Sequence, residues 1–136
     1  MDLSQNLLDT FPSPIKTLPH LRYPITNILT TYRILRLISN RLTSLPPNFP
    51  SSSSTLRELH LSLNPLDSLP AQLCNLRSLT LLAISHTKVR QLPPSLAEMP
   101  ALDRVLVEGC DLEVPKMAVA MKGMEAIRTY FRANAS

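Results

Sequence analysis

One spacing of aliphatic residues returns along this chain every 23 or 24 positions. It reads Tyr32, Leu35, Leu37, Asn40, Leu42, Leu45, Pro46, and then Leu56, Leu59, Leu61, Asn64, Leu66, Leu69, Pro70. A third copy runs Leu79, Leu82, Ile84, Thr87, Val89, Leu92, Pro93, and a fourth runs Leu102, Val105, Val107, Cys110, Leu112. A fixed period of this size marks a solenoid, because one repeat cannot bury its apolar layer alone and stacked neighbours can. Such a chain presents a curved surface and not a pocket. The rhythm therefore speaks to the class of function far more than to the partner.

Three segments follow from it. Residues 32–115 form the array of about four repeats. In each repeat the stretch around the second and third aliphatic positions alternates inward and outward residues, as a short strand does. Successive strands are expected to stack as a parallel sheet on the inner side. The segments Leu69–Leu76 and Leu92–Met99 return the chain along the outer side, and Pro70, Pro93 and Pro94 suit a turn or the first turn of a short helix. The first return segment differs: it is one residue longer, and its Ser51–Ser54 run reads as a solvated loop.

Residues 1–31 are punctuated by Pro12, Pro14, Pro19 and Pro24, which argues against a long helix. They read as an irregular cap or a decayed repeat. Residues 116–136 change period: Met117, Met121, Met124, Ile127 and Phe131 mark one face of a helix, weakened by Gly123. An array must cover the open end of its core, so this segment reads as a capping helix and tail. A methionine-lined docking groove is the alternative reading.

Within the array, the aliphatic positions point inward. Asn40 and Asn64 are a different device, since a carboxamide can satisfy backbone groups that a bend leaves unpaired. Thr87 and Cys110 take the same position later, so this polar ladder should fade toward the C-terminus. Cys110 and Cys74 read as inert structural thiols.

Function falls to the outward strand positions. These form columns: Ile34, Glu58, Leu81, Arg104; then Arg36, His60, Ala83, Leu106; then Ile38, Ser62, Ser85, Glu108; then Ser39, Leu63, His86, Gly109. Aliphatic residues among them have no core position to fill. Ringed by charge, they look like an interface with a mixed rim. The expected partner-binding face is therefore Ile34, Arg36, Ile38, Glu58, His60, Leu63, Leu81, Ala83, His86, Arg104, Leu106 and Glu108.

Other classes find little support. The net charge is +4, with five Lys/Arg against two acids in residues 1–50 and no basic runs, and six aromatic residues give little to stack on bases. Nucleic acid is not the expected partner. Neither is a membrane, since no apolar stretch is long enough to span one and no secretory signal opens the chain. Two cysteines make no disulfide framework, which favours the cytosol. Phosphate-loop, dinucleotide, zinc-protease and paired-cysteine motifs are missing. His60 and His86 lack a third metal ligand, and Ser62, Ser85 and His86 lack an oxyanion device. No enzyme activity, cofactor, metal or small-molecule ligand is expected.

The 23-residue period resembles the intracellular leucine-rich repeats of Ras-suppressor, Scribble-type and plant Ras-group proteins. That resemblance implies an α/β horseshoe solenoid with a parallel concave sheet that binds protein partners, as a scaffold or adaptor in signalling. The tail from Val114-Pro115 through Gly123, Ala126, Ile127, Tyr130 and Phe131 is similar to the segment closing the arrays of Roco proteins. Val114 stands where that pattern has proline. This second likeness implies an alternative: a regulatory or targeting segment of a larger signalling enzyme, acting through its C-terminal helix.

Overall fold

The computed structural model describes residues 1–5, 32–45 and 55–135. Four three-residue strands, β1 (Ile34–Arg36), β2 (Glu58–His60), β3 (Leu81–Ala83) and β4 (Arg104–Leu106), stack in sequence order as one parallel sheet. Leu35, Leu59, Leu82 and Val105 stand in register across it. The ladder runs on past the strands: Leu37 N–H donates to His60 O at 2.8 Å, Leu61 N–H to Ala83 O at 2.8 Å, and Ile84 N–H to Leu106 O at 2.9 Å. The 23-residue period thus places equivalent residues side by side.

Inward residues form one continuous core. Leu37, Leu61 and Ile84 have no solvent exposure, and Val107 has 2%. Leu56, Leu79 and Leu102, five residues earlier in the same repeats, are buried as well, whereas Tyr32, which fills that position in the first repeat, is 37% exposed. Tyr32 is thus not the core residue its place in the pattern suggests, since its phenol keeps contact with water. Burying each leucine is worth roughly 1.5–3 kcal/mol, so the stack of layers is the main stabilising term.

On the outer side the chain returns through two 3-10 helices, Ala71–Asn75 and Pro94–Glu98, each entered from an extended proline. Leu73 and Leu96 anchor them in the core, and Ser95 Oγ donates across to Ala71 O at 2.9 Å. The first return segment and its serine run lie outside the described residues, as do residues 6–31.

The polar ladder is present and does weaken along the chain. Asn64 Nδ2 donates to Leu37 O at 2.8 Å and Leu61 O at 2.9 Å, while its Oδ1 accepts Leu42 N–H at 3.1 Å. Thr87 Oγ1 donates to Ile84 O at 2.8 Å, and Cys110 Sγ reaches the same oxygen at 3.0 Å. A carboxamide ties two turns together, whereas a hydroxyl and a thiol share one carbonyl.

Residues 1–5 run parallel to β1 through an isolated bridge, with Asp2 opposite Arg36, Leu3 N–H on Arg36 O at 2.7 Å, and Gln5 N–H on Ile38 O at 2.9 Å. One finding departs from the sequence reading. The C-terminal segment is two helices and not one: α1 (Met117–Ala120) and α2 (Met124–Asn134). Gly123 breaks them at φ 100° and ψ −176°, a conformation essentially reserved for glycine. Of the methionine stripe, Met124, Ile127 and Phe131 are buried while Met121 is 60% exposed. Arg128 fixes α2 to the last repeat by donating to Met99 O at 3.0 Å and Leu102 O at 2.6 Å.

Candidate partner-binding face

Each layer of the stack adds one more set of outward residues, most of them half-buried or exposed. Register places Ile34, Glu58, Leu81 and Arg104 in one row, and Arg36, His60, Ala83 and Leu106 in the next. Met1–Gln5 adds a fifth layer beside β1, with Asp2 beside Arg36.

Most of the predicted face is accessible. Leu63 is 52% exposed and Leu106 is 36% exposed; Arg104, Glu108 and His86 are exposed, and Ile34, Arg36, Ile38, Glu58, His60 and Leu81 are half-buried. Ala83 is the exception. At 3% exposure its methyl lies below its row neighbours His60 and Leu106, so it is sheet floor and not a contact residue.

The row that follows the strands has a backbone signature. Ser39, Leu63, His86 and Gly109 all take left-handed φ values of 55–72°, and Gln5 does so at 59° in the N-terminal segment. The chain needs this kink to turn from the sheet toward the buried Asn, Thr or Cys that comes next. Only Gly109 is the residue type that enters it without cost. It has a second constraint, since a Cβ there would lie 2.2 Å from His86 Nδ1. The kink presents Leu63 and His86 to solvent.

Charges on the face are organised within and between strands. His60 Nε2 and Glu58 Oε2 stand 2.9 Å apart on β2, so one side chain orients the other. Arg36 of β1 stands beside Asp2 of the N-terminal segment, and the Asp2 carboxyl is held below its ordinary range chiefly by hydrogen bonding from Ser4. The Met1 ammonium donates to Ile34 O at 2.6 Å, and partial burial, with Arg36 nearby, lowers its pKa. Among the described residues, no three His, Cys, Asp or Glu side chains converge as metal ligands. No helix among them is long and apolar enough to cross a membrane.

Sequence reasoning missed Asp2, Ser4 and Gln5 as members of this face. A signal exists, because Met1, Leu3, Asn6 and Leu8 repeat the spacing of Leu35, Leu37, Asn40 and Leu42. It is hidden because Leu3 lies 34 residues before Leu37, out of step with the later period.

With this geometry in place, comparison with known proteins agrees. Residues 31–89 match the model of the leucine rich repeat family. Over 105 residues the chain is 31% identical to a leucine-rich repeat and calponin homology domain-containing protein of Drosophila melanogaster. That alignment covers 69% of this chain and 13% of the relative, so the chain spans a small part of the relative's length. The molecule is a leucine-rich repeat protein, an α/β solenoid arc with C-terminal helices, and its architecture is that of a protein-interaction module.

Proposed function

We propose that this chain is a non-enzymatic scaffold or adaptor that holds a protein partner against its concave face, in an intracellular signalling setting of the Ras-suppressor or Scribble kind. The observation that carries the reading is the pairing of exposed Leu63 and Leu106 with half-buried Leu81, all on one rigid sheet and rimmed by Arg36, Glu58, His60, Arg104 and Glu108. Exposed apolar residues in one patch with a polar rim are the anatomy of an interface. The Drosophila relative, by its name, couples leucine-rich repeats to a calponin homology domain, which fits a unit that serves alongside other domains. Two free cysteines, one of them buried, fit a reducing compartment.

A second reading has its own support. Met121 is 60% exposed in the cap, so a regulatory segment of Roco type would act there and not on the sheet. Affinity capture from the source cells separates the two. Leu63→Asp combined with Leu81→Asp should lose the partners retained by the unmodified chain, while Met121→Asp should keep them. The reverse pattern, with both variants folded by circular dichroism, would refute the concave-face reading.

A further inference from the structure

Strand β4 is the last of the sheet, and among the described residues nothing pairs with its outer edge. Its inner edge is used: Arg104 N–H donates to Thr80 O, and Leu106 O and Glu108 O accept from Ile84 and His86. Alternation along a strand therefore turns the N–H groups of Val105 and Val107, and the carbonyl of Val105, toward the open side. A groove of about 320 Å³ runs beside that edge, with Val105, Leu106 and Val107 on one wall and Ala120, Met121 and Gly123 on the other. Unpaired edges of this kind are templates for another strand, and proteins usually blunt them. Here the edge is short, carries no proline, and is flanked by Arg104 and Glu108.

The sequence of the edge specifies what fits it. Arg104-Val105-Leu106-Val107-Glu108 is symmetric about Leu106 in its apolar residues and opposite in charge at its two ends. Place a second copy antiparallel to the first, with a two-fold axis at Leu106. Val105 then faces Val107 of the other copy, and Val107 N–H donates to Val105 O once on each side of the axis, Val107 O being engaged by Cys110 N–H at 3.0 Å. Leu106 meets its own copy at a non-hydrogen-bonded position, where side chains approach most closely. Arg104 faces Glu108 of the other copy, twice. All three exposed side chains lie on the concave side, and Leu106 is 36% exposed. Neither Arg104 nor Glu108 has an ion-pair partner among the described residues.

We propose that the chain forms a two-fold homodimer through antiparallel pairing of β4 with β4, joining two concave sheets into one. A two-fold contact is self-complementary by nature, and this strand meets that condition in hydrogen bonding, apolar contact and charge. The dimer goes beyond the binding of a protein partner and does not depend on it. It would set the two copies of Arg104, Leu106 and Glu108 at the centre of the combined surface.

Sedimentation over a concentration series tests the register directly. The unmodified chain should show a monomer–dimer equilibrium. Glu108→Arg sets two arginines against each other at both ends, and Arg104→Glu sets two glutamates. Each should weaken self-association by about tenfold or more. Mixing the two variants should restore a dimer, as should both substitutions in one chain. Both changes are on exposed side chains, and circular dichroism verifies the fold. A chain that stays monomeric at its highest soluble concentration overturns the proposal. So do single variants that dimerise as tightly as the parent, or a mixture that remains monomeric.

Discussion

Asn64 shows how one residue type sets the fold. Its amide satisfies the backbone of two turns at once, joining Leu37 O, Leu61 O and Leu42 N–H. Removing it takes these partners from Leu42 N–H and Leu61 O, each loss costing ~1–3 kcal/mol, while Leu37 O keeps Asn40 Nδ2 at 2.9 Å. Asn64→Ala should therefore lower unfolding free energy by about 3 kcal/mol in urea titration. Cys110→Ala, at the same position three layers from the first, should cost about 1 kcal/mol, because a thiol forms the weaker bond. Equal losses would mean that the ladder is not graded. Sequence alone gave this gradient, since residue type decides hydrogen-bonding capacity. It did not give the left-handed kink before the ladder. Leu63 and His86 carry no composition signal for it, and only Gly109 hinted at a special backbone.

The elements were legible to different degrees. Strands and their order followed from the period, because 23 residues per turn of the solenoid leave few other ways to bury Leu59, Leu82 and Val105. The spacing from Met117 to Phe131 suits one face of a single helix. The conformation of Gly123 separates α1 from α2, and Arg128 of α2 reaches Met99 O and Leu102 O. The two descriptions predict opposite signs for one substitution. In a continuous helix Gly123→Ala would stabilise by ~1 kcal/mol. At φ 100° it should destabilise by about 2 kcal/mol, although nothing lies within 4 Å of the new Cβ. Thermal unfolding, followed by amide exchange in α2, decides between them. A higher midpoint in the variant would contradict the broken cap. The pairing of residues 1–5 with β1 was not legible, because it spans a gap in sequence that no fixed period describes.

At the scale of the molecule, each layer contacts only its neighbours, so the array is a one-dimensional stack that presents its outward columns as a single rigid face. Position in a column was readable from spacing, and accessibility was not. Ala83 sinks below larger neighbours, and Leu63 rises on its kink, for reasons of side-chain size and backbone that become visible only in three dimensions. The central claim is that this face, and not the outer side or the cap, grips a protein. A photo-reactive amino acid placed in turn at Leu63, at Gln72 on an outer 3-10 helix, and at Met121 tests it in the source cells. A discrete covalent adduct with a protein other than a second copy of this chain from position 63, and none of that kind from 72 or 121, is the predicted result; such adducts confined to 72 or 121 would contradict it.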